Sequence, residues 1–142
     1  WWRRGNGYVR ILRDSEVTRE VIENFNLILL GSPSKNLLIK DLLPKTPAKL
    51  NAHGIELDGK NFKGKLSLAM IYPNPLNPQK MVAFLTGNSK KMERLSLYAL
   101  PLYSGSGIPH YMIFDLEVKQ YGWGGVRAAG FFNEQGKPEK EF

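Results

Sequence analysis

The sequence predicts an α/β fold: a single domain over residues 1–142 with a mixed, mostly parallel sheet flanked by helices, Rossmann-like and three-layered, and a small β-hairpin insertion around residues 46–65. Three observations lead there. The chain has 142 residues, 42% of them hydrophobic, which is enough for one domain with a real core and too few for two ordinary ones. Apolar runs of strand length alternate with stretches of helical period, in the order β-α-β-α, small hairpins, β-β-α-β-β. The 14 glycines and 9 prolines imply many turns and short elements.

The elements follow in order. Trp1 and Trp2 read as the end of an element that begins upstream, and a chain opening WWRR without a methionine reads as a piece of a longer protein. YVRIL, residues 8–12, alternates and suggests a first strand. Asp14 and Ser15 are N-cap types. Val17, Val21, Ile22 and Phe25 recur after them at helical spacing, so a helix is expected over 15–24. NLILL, 26–30, is a continuous apolar run that fits a strand buried on both faces, and Gly31 breaks it. A helix over 36–43 ends at Pro44. Short strands are expected at 47–50, 54–57 and 60–63, with Asp58-Gly59 as a hairpin turn. LSLAMIY, 66–72, is a strong strand. PNPLNPQ reads as a stiff, extended connector, because its prolines fix φ and donate nothing; the two strands it joins are close enough in sequence to pair antiparallel, which makes the expected sheet mixed. MVAFLTG, 81–87, is the next strand, and a helix follows from 90 to 100. Strands at 110–118 and 126–132 flank a Gly-rich turn at 121–125, and 133–142 is a polar tail expected to fray.

Composition narrows the function. No cysteine is present, which excludes a disulfide framework, a thiolate metal site and a Cys nucleophile. No apolar run reaches the ~18 residues that span a bilayer. A net charge of +7 favours acidic partners, although the lysines lie scattered from Lys35 to Lys140 and read most simply as solvated surface. The densest basic cluster is Arg3, Arg4, Arg10 and Arg13. Within WWRRGNGYVRILR it offers an alternative, nucleic-acid binding, with rings stacking on bases and arginines on phosphates.

Two strand–loop–helix junctions, LLGSPSKN and FLTGNSKK, each set a glycine at a strand's carboxyl end and Ser, Asn and Lys before a helix. They make Gly31, Ser32, Ser34, Asn36, Gly87, Asn88, Ser89 and Lys90 candidate ligand-binding residues for an anion or small molecule. Neither junction is a Walker A or a G-x-G-x-x-G, and Pro33 removes an amide. Ordinary helix capping accounts for the same residues.

Catalytic chemistry is thin. His53 sits in a turn. His110 and Asp115, five apart on an extended segment, would point to opposite faces. There is no nucleophile elbow and no HExxH, and Asp14, Glu56, Asp58 and Asp115 lie far apart in sequence. No catalytic residue, metal or cofactor is expected. The Pro-rich edge Tyr72, Pro73, Asn74, Pro75, Leu76, Asn77 is a candidate interaction surface, with a rigid connector as the plainer reading.

Across nearly the whole chain, WWRRGNG, FNLILLGSPSKNLLIKDLLPKTP, IYPNPLNPQKMVAFLTGNS, GIPHYMIFD and AAGFF together resemble the C-terminal region of large secreted bacterial proteins of the prolyl-oligopeptidase/esterase-like group. That resemblance implies a non-catalytic accessory α/β domain, partnered by other domains of its parent chain or another protein. Any catalytic serine would lie elsewhere in that parent, and the setting would be extracytoplasmic. The family pattern favours an acidic residue after Ile-Pro, where this chain has His110.

Overall fold

The structure, a computed structural model, describes residues 9–99 and 109–139. Among the described residues, eight strands form two sheets. The larger has the order β1-β6-β5-β7-β8 and comprises β1 Leu27–Leu30, β6 Asn77–Gly87, β5 Ser67–Asn74, β7 Tyr111–Phe114 and β8 Val126–Gly130. The smaller is a meander of β2 Ala48–Asn51, β3 Gly54–Leu57 and β4 Lys60–Lys63. Short α-helices among the described residues accompany them: α1 Arg19–Asn24, α2 Leu37–Leu42, α3 Lys90–Ser96 and α4 Val118–Tyr121.

The sheet is not the mostly parallel, Rossmann-like one the sequence suggests. Only β1 and β6 run parallel, whereas β6–β5, β5–β7 and β7–β8 are antiparallel. The first of these antiparallel pairs is joined by PNPLNPQ, as its short link allowed. This stretch is no extended connector but the tip of a hairpin, with Asn74 paired to Asn77 and Pro75-Leu76 between them. Asparagine side chains make this tip: Asn74 Oδ1 accepts from Leu76 N at 3.0 Å and Asn77 Oδ1 from Gln79 N at 3.2 Å. Such Asx turns replace the backbone bonds that prolines cannot supply. Pro73 lies beyond the end of the β5–β7 ladder and Pro78 in the irregular stretch opposite the Pro73/Asn74 register shift, where no N–H is required.

Alternation along the strands divides the core. On one face Leu29, Phe84, Met70 and Tyr111 lie in one row across β1, β6, β5 and β7. They pack under α2 and the small sheet, whose Ile39, Leu42, Ile55 and Leu57 are buried with them. On the other face Ala69, Leu85 and Phe114 are covered by Met92 and Leu95 of α3. β1 alternates between buried and exposed, so NLILL is a half-buried edge strand and not one buried on both faces.

Other expectations also change. Residues 9–13 form no strand; the chain turns through a 3-10 helix, Asp14–Glu16, whose Asp14 carboxylate accepts the amide of Leu37 at 2.8 Å. The first α-helix is shorter than expected and is capped by Thr18, not by Asp14 or Ser15. The strand expected at 110–118 stops at Phe114, and Val118 and Lys119 belong to a helix. The tail is held: Phe132 bridges to Pro138, and Tyr72 donates its hydroxyl to Gly136 O at 3.3 Å. Trp1, Trp2, Arg3, Arg4 and Leu100 lie outside the described residues. Among the described residues no helix is long and apolar enough to cross a membrane.

Candidate functional site

Because β1 and β6 are parallel neighbours, the two glycine loops that follow them lie side by side. Gly31 N donates to Leu85 O at 3.2 Å, and Lys35 Nζ pairs with the Glu93 carboxylate at 3.0 Å, joining the first loop to α3. The structure therefore brings the candidate ligand residues together. It also commits most of them to other bonds.

Asn36 caps α2: its Oδ1 accepts from Leu38 N at 3.0 Å and Ile39 N at 3.1 Å, and its Nδ2 donates to Leu30 O at 3.3 Å. Ser32 Oγ lies 3.0 Å from Ser34 Oγ, and the Ser32 carbonyl accepts the amides of Lys35 and Asn36. Asn88 clamps the start of β5, accepting from Leu66 N at 2.9 Å and donating to Gly64 O at 2.6 Å. Gly31, at φ +114°, takes a conformation that a side chain resists, while Gly87 packs directly against Met92 and Glu93. Ser89 stands at the N-cap of α3, and its side chain makes no capping bond. Lys90 lines a cleft described below.

The capping role is testable. Asn36→Ala is expected to cost about 1 kcal/mol of unfolding free energy, the usual worth of an N-cap side chain. Urea unfolding checks it. No loss would mean that the three bonds of Asn36 are not what holds the turn.

The proline-rich edge is also tied down. Asn74 is fully buried, Asn77 Nδ2 donates to Ile22 O at 3.2 Å, and Tyr72 meets Phe132 edge-on at 5.1 Å; Leu76 is exposed. The histidines and Asp115 do not converge. His110 Nδ1 accepts the amide of Phe132 at 3.1 Å, whereas His53 lies exposed in the β2–β3 turn. Asp115 takes Arg127 Nε at 2.7 Å, which, with the charges of Asp115 and Glu117, raises the arginine's pKa further above its ordinary range. Among the described residues no three His, Asp or Glu side chains converge in a metal-ligating group.

A different place gathers charge. Between α3 and α4 lies a cleft of about 530 Å³, lined by Lys90, Lys91, Arg94 and Lys119, with Tyr98 beside them. Leu95 and Leu116 supply its apolar surface. The nearby acids are spent elsewhere: Glu93 on Lys35, Asp115 and Glu117 on Arg127. No carboxylate of the described residues is within ion-pair distance of the four cations. Lys119 Nζ sits 4.9 Å from the centroid of the Tyr98 ring. A second concavity, of about 400 Å³, mixes Asp58 and Glu139 with Lys60 and so lacks a field of one sign.

Sequence reasoning missed this cleft. The cations Lys90, Lys91 and Arg94 are close in sequence, but Lys119 reaches them only through the fold. Compared with known proteins, the chain matches no family model, no curated protein and no solved structure.

Proposed function

We propose that this chain is a non-catalytic binding domain of a larger, exported hydrolase-like protein, and that it takes an anionic partner in the cleft between α3 and α4. One observation carries the binding role: four cations with no acidic partner among the described residues surround a single concavity. Like charges held this close repel one another, and a bound anion relieves the repulsion. The non-catalytic part is supported by the use of Asn36 and Asn88 in the fold itself. The parent and its exported setting rest on the sequence resemblance alone.

The test separates the cleft from net charge. Lys91→Glu with Arg94→Glu reverses two cleft cations; Lys40→Glu with Lys137→Glu makes the same change in net charge at exposed sites that do not line the cleft. Titration calorimetry with inorganic polyphosphate at low salt should show the cleft pair weakened roughly tenfold or more, as expected when phosphate contacts are lost. The distal pair should bind nearly as the parent does. Equal losses in the two pairs would contradict the assignment.

A further inference from the structure

The cleft holds one component that a simple anion does not need. Tyr98 is 70% exposed, and Lys119 lies over its ring at 4.9 Å. The side chain is thus mostly open to solvent, with a cation beside its ring. An exposed aromatic costs little as surface, but here it lines the same concavity as four cations. A ring face beside such a row of charges is how proteins hold single-stranded nucleic acid: phosphates meet the cations and an unpaired base stacks on the ring.

From this we propose that the anionic partner is single-stranded nucleic acid, with Tyr98 as the stacking residue and Lys90, Lys91, Arg94 and Lys119 as phosphate contacts. The inference rests on the anion-binding reading of the same cleft. A duplex is disfavoured because its bases are paired and offer no free face to Tyr98. A planar lipid surface is disfavoured because the cations flank a concavity and not a flat face. The proposed contacts include none of Trp1, Trp2, Arg3 or Arg4.

The experiment measures fluorescence anisotropy of the whole chain with a labelled mixed-sequence oligonucleotide over a range of salt. Inorganic polyphosphate, a polyuronate and vesicles of anionic phospholipid are the competitors. The oligonucleotide should bind more tightly than polyphosphate of equal charge. Tyr98→Leu, which keeps an apolar side chain and removes the ring, should weaken the oligonucleotide about tenfold, within the usual worth of a stacked base, and leave polyphosphate unchanged. Arg94→Ala should reduce the slope of log Kd against log salt by about one phosphate contact. Circular dichroism should report unchanged folding for both variants, since Tyr98 and Arg94 are exposed. If polyphosphate or the polyuronate binds as well as the oligonucleotide and Tyr98→Leu has no effect, the nucleic-acid inference falls while the anion-binding cleft stands. If only vesicles bind, the inference falls in favour of a lipid surface. If no anion binds at low salt, both fall.

Discussion

Phe84→Ala should lower the unfolding free energy by about 3–5 kcal/mol, the range for truncating a buried aromatic. Phe84 has no exposed surface. It sits on β6, between Leu29 of β1 and Met70 of β5 in the ladder, on the face that packs under α2 and the small sheet. Both flanking strands and the layer above lean on this one ring, and none can collapse into the space it leaves without shifting the others. Domains of this size are stable by only about 5–15 kcal/mol, so the variant should stand near its unfolding threshold. Phe84→Leu, which fills much of the same volume, should cost far less. Urea unfolding measures both. An alanine variant as stable as the parent would mean that the two layers do not share the core described.

Gly87→Ala is expected to have a comparable effect for a different reason. The backbone φ of Gly87 is not in the left-handed region, so conformation is not the obstacle. Space is. An added Cβ would lie 2.5 Å from the Met92 carbonyl carbon, 2.6 Å from Met92 Cβ and 2.7 Å from Glu93 N, and the backbone of α3 has to move. Overpacking of this kind costs about 1–3 kcal/mol. The shift also pulls the Met92 carbonyl from the buried Ser67 hydroxyl, now 2.8 Å away. Leaving that hydroxyl unpaired adds about 1–3 kcal/mol. Because α3 carries Lys90, Lys91 and Arg94, the variant should also bind polyphosphate more weakly while still folded. Gly31→Ala provides the contrast: no atom within 4 Å obstructs a Cβ there, so its cost comes from φ alone. Wild-type stability and binding in Gly87→Ala would refute the tight β6–α3 junction.

These two residues show how far the sequence could be read. The strand around Phe84 stood out as an apolar run, and Gly87 stood out as the residue that ends it. Apart from the β5–β6 pair, whose short link allowed an antiparallel partner, the direction in which strands pair was not visible, because a run such as LSLAMIY looks the same beside a parallel or an antiparallel neighbour. The tight turn of the β5–β6 hairpin was hidden by its prolines, since the structure-forming role of Asn74 and Asn77 belongs to their side chains. YVRIL had the right alternation for a strand, yet residues 9–13 form none; alternation states which face would be buried, not whether an edge exists to pair with.

The candidate site was less legible than the fold. Ligand residues were sought at strand ends, where glycine, serine and asparagine are common both in ligand loops and in helix caps. Bond partners distinguish the two uses, and a sequence does not contain them. The cations of the cleft looked like scattered surface charge. Lys90, Lys91 and Arg94 on one short helix were a usable signal, but Lys119 was assigned beyond the end of a strand when it lies in α4. Their lack of acidic partners became visible only once Glu93, Asp115 and Glu117 were seen paired elsewhere.

The most direct measurement of the central claim is a map of amide chemical shifts in the isotope-labelled chain as polyphosphate is added. If the cleft beside α3 is the binding surface and the strand-end loops are structural, the largest shifts fall on Lys91, Arg94, Tyr98 and Lys119, while Gly31, Ser32 and Ser34 stay in place. Largest shifts at Gly31, Ser32 and Ser34 would instead make the strand ends the ligand site and contradict the account.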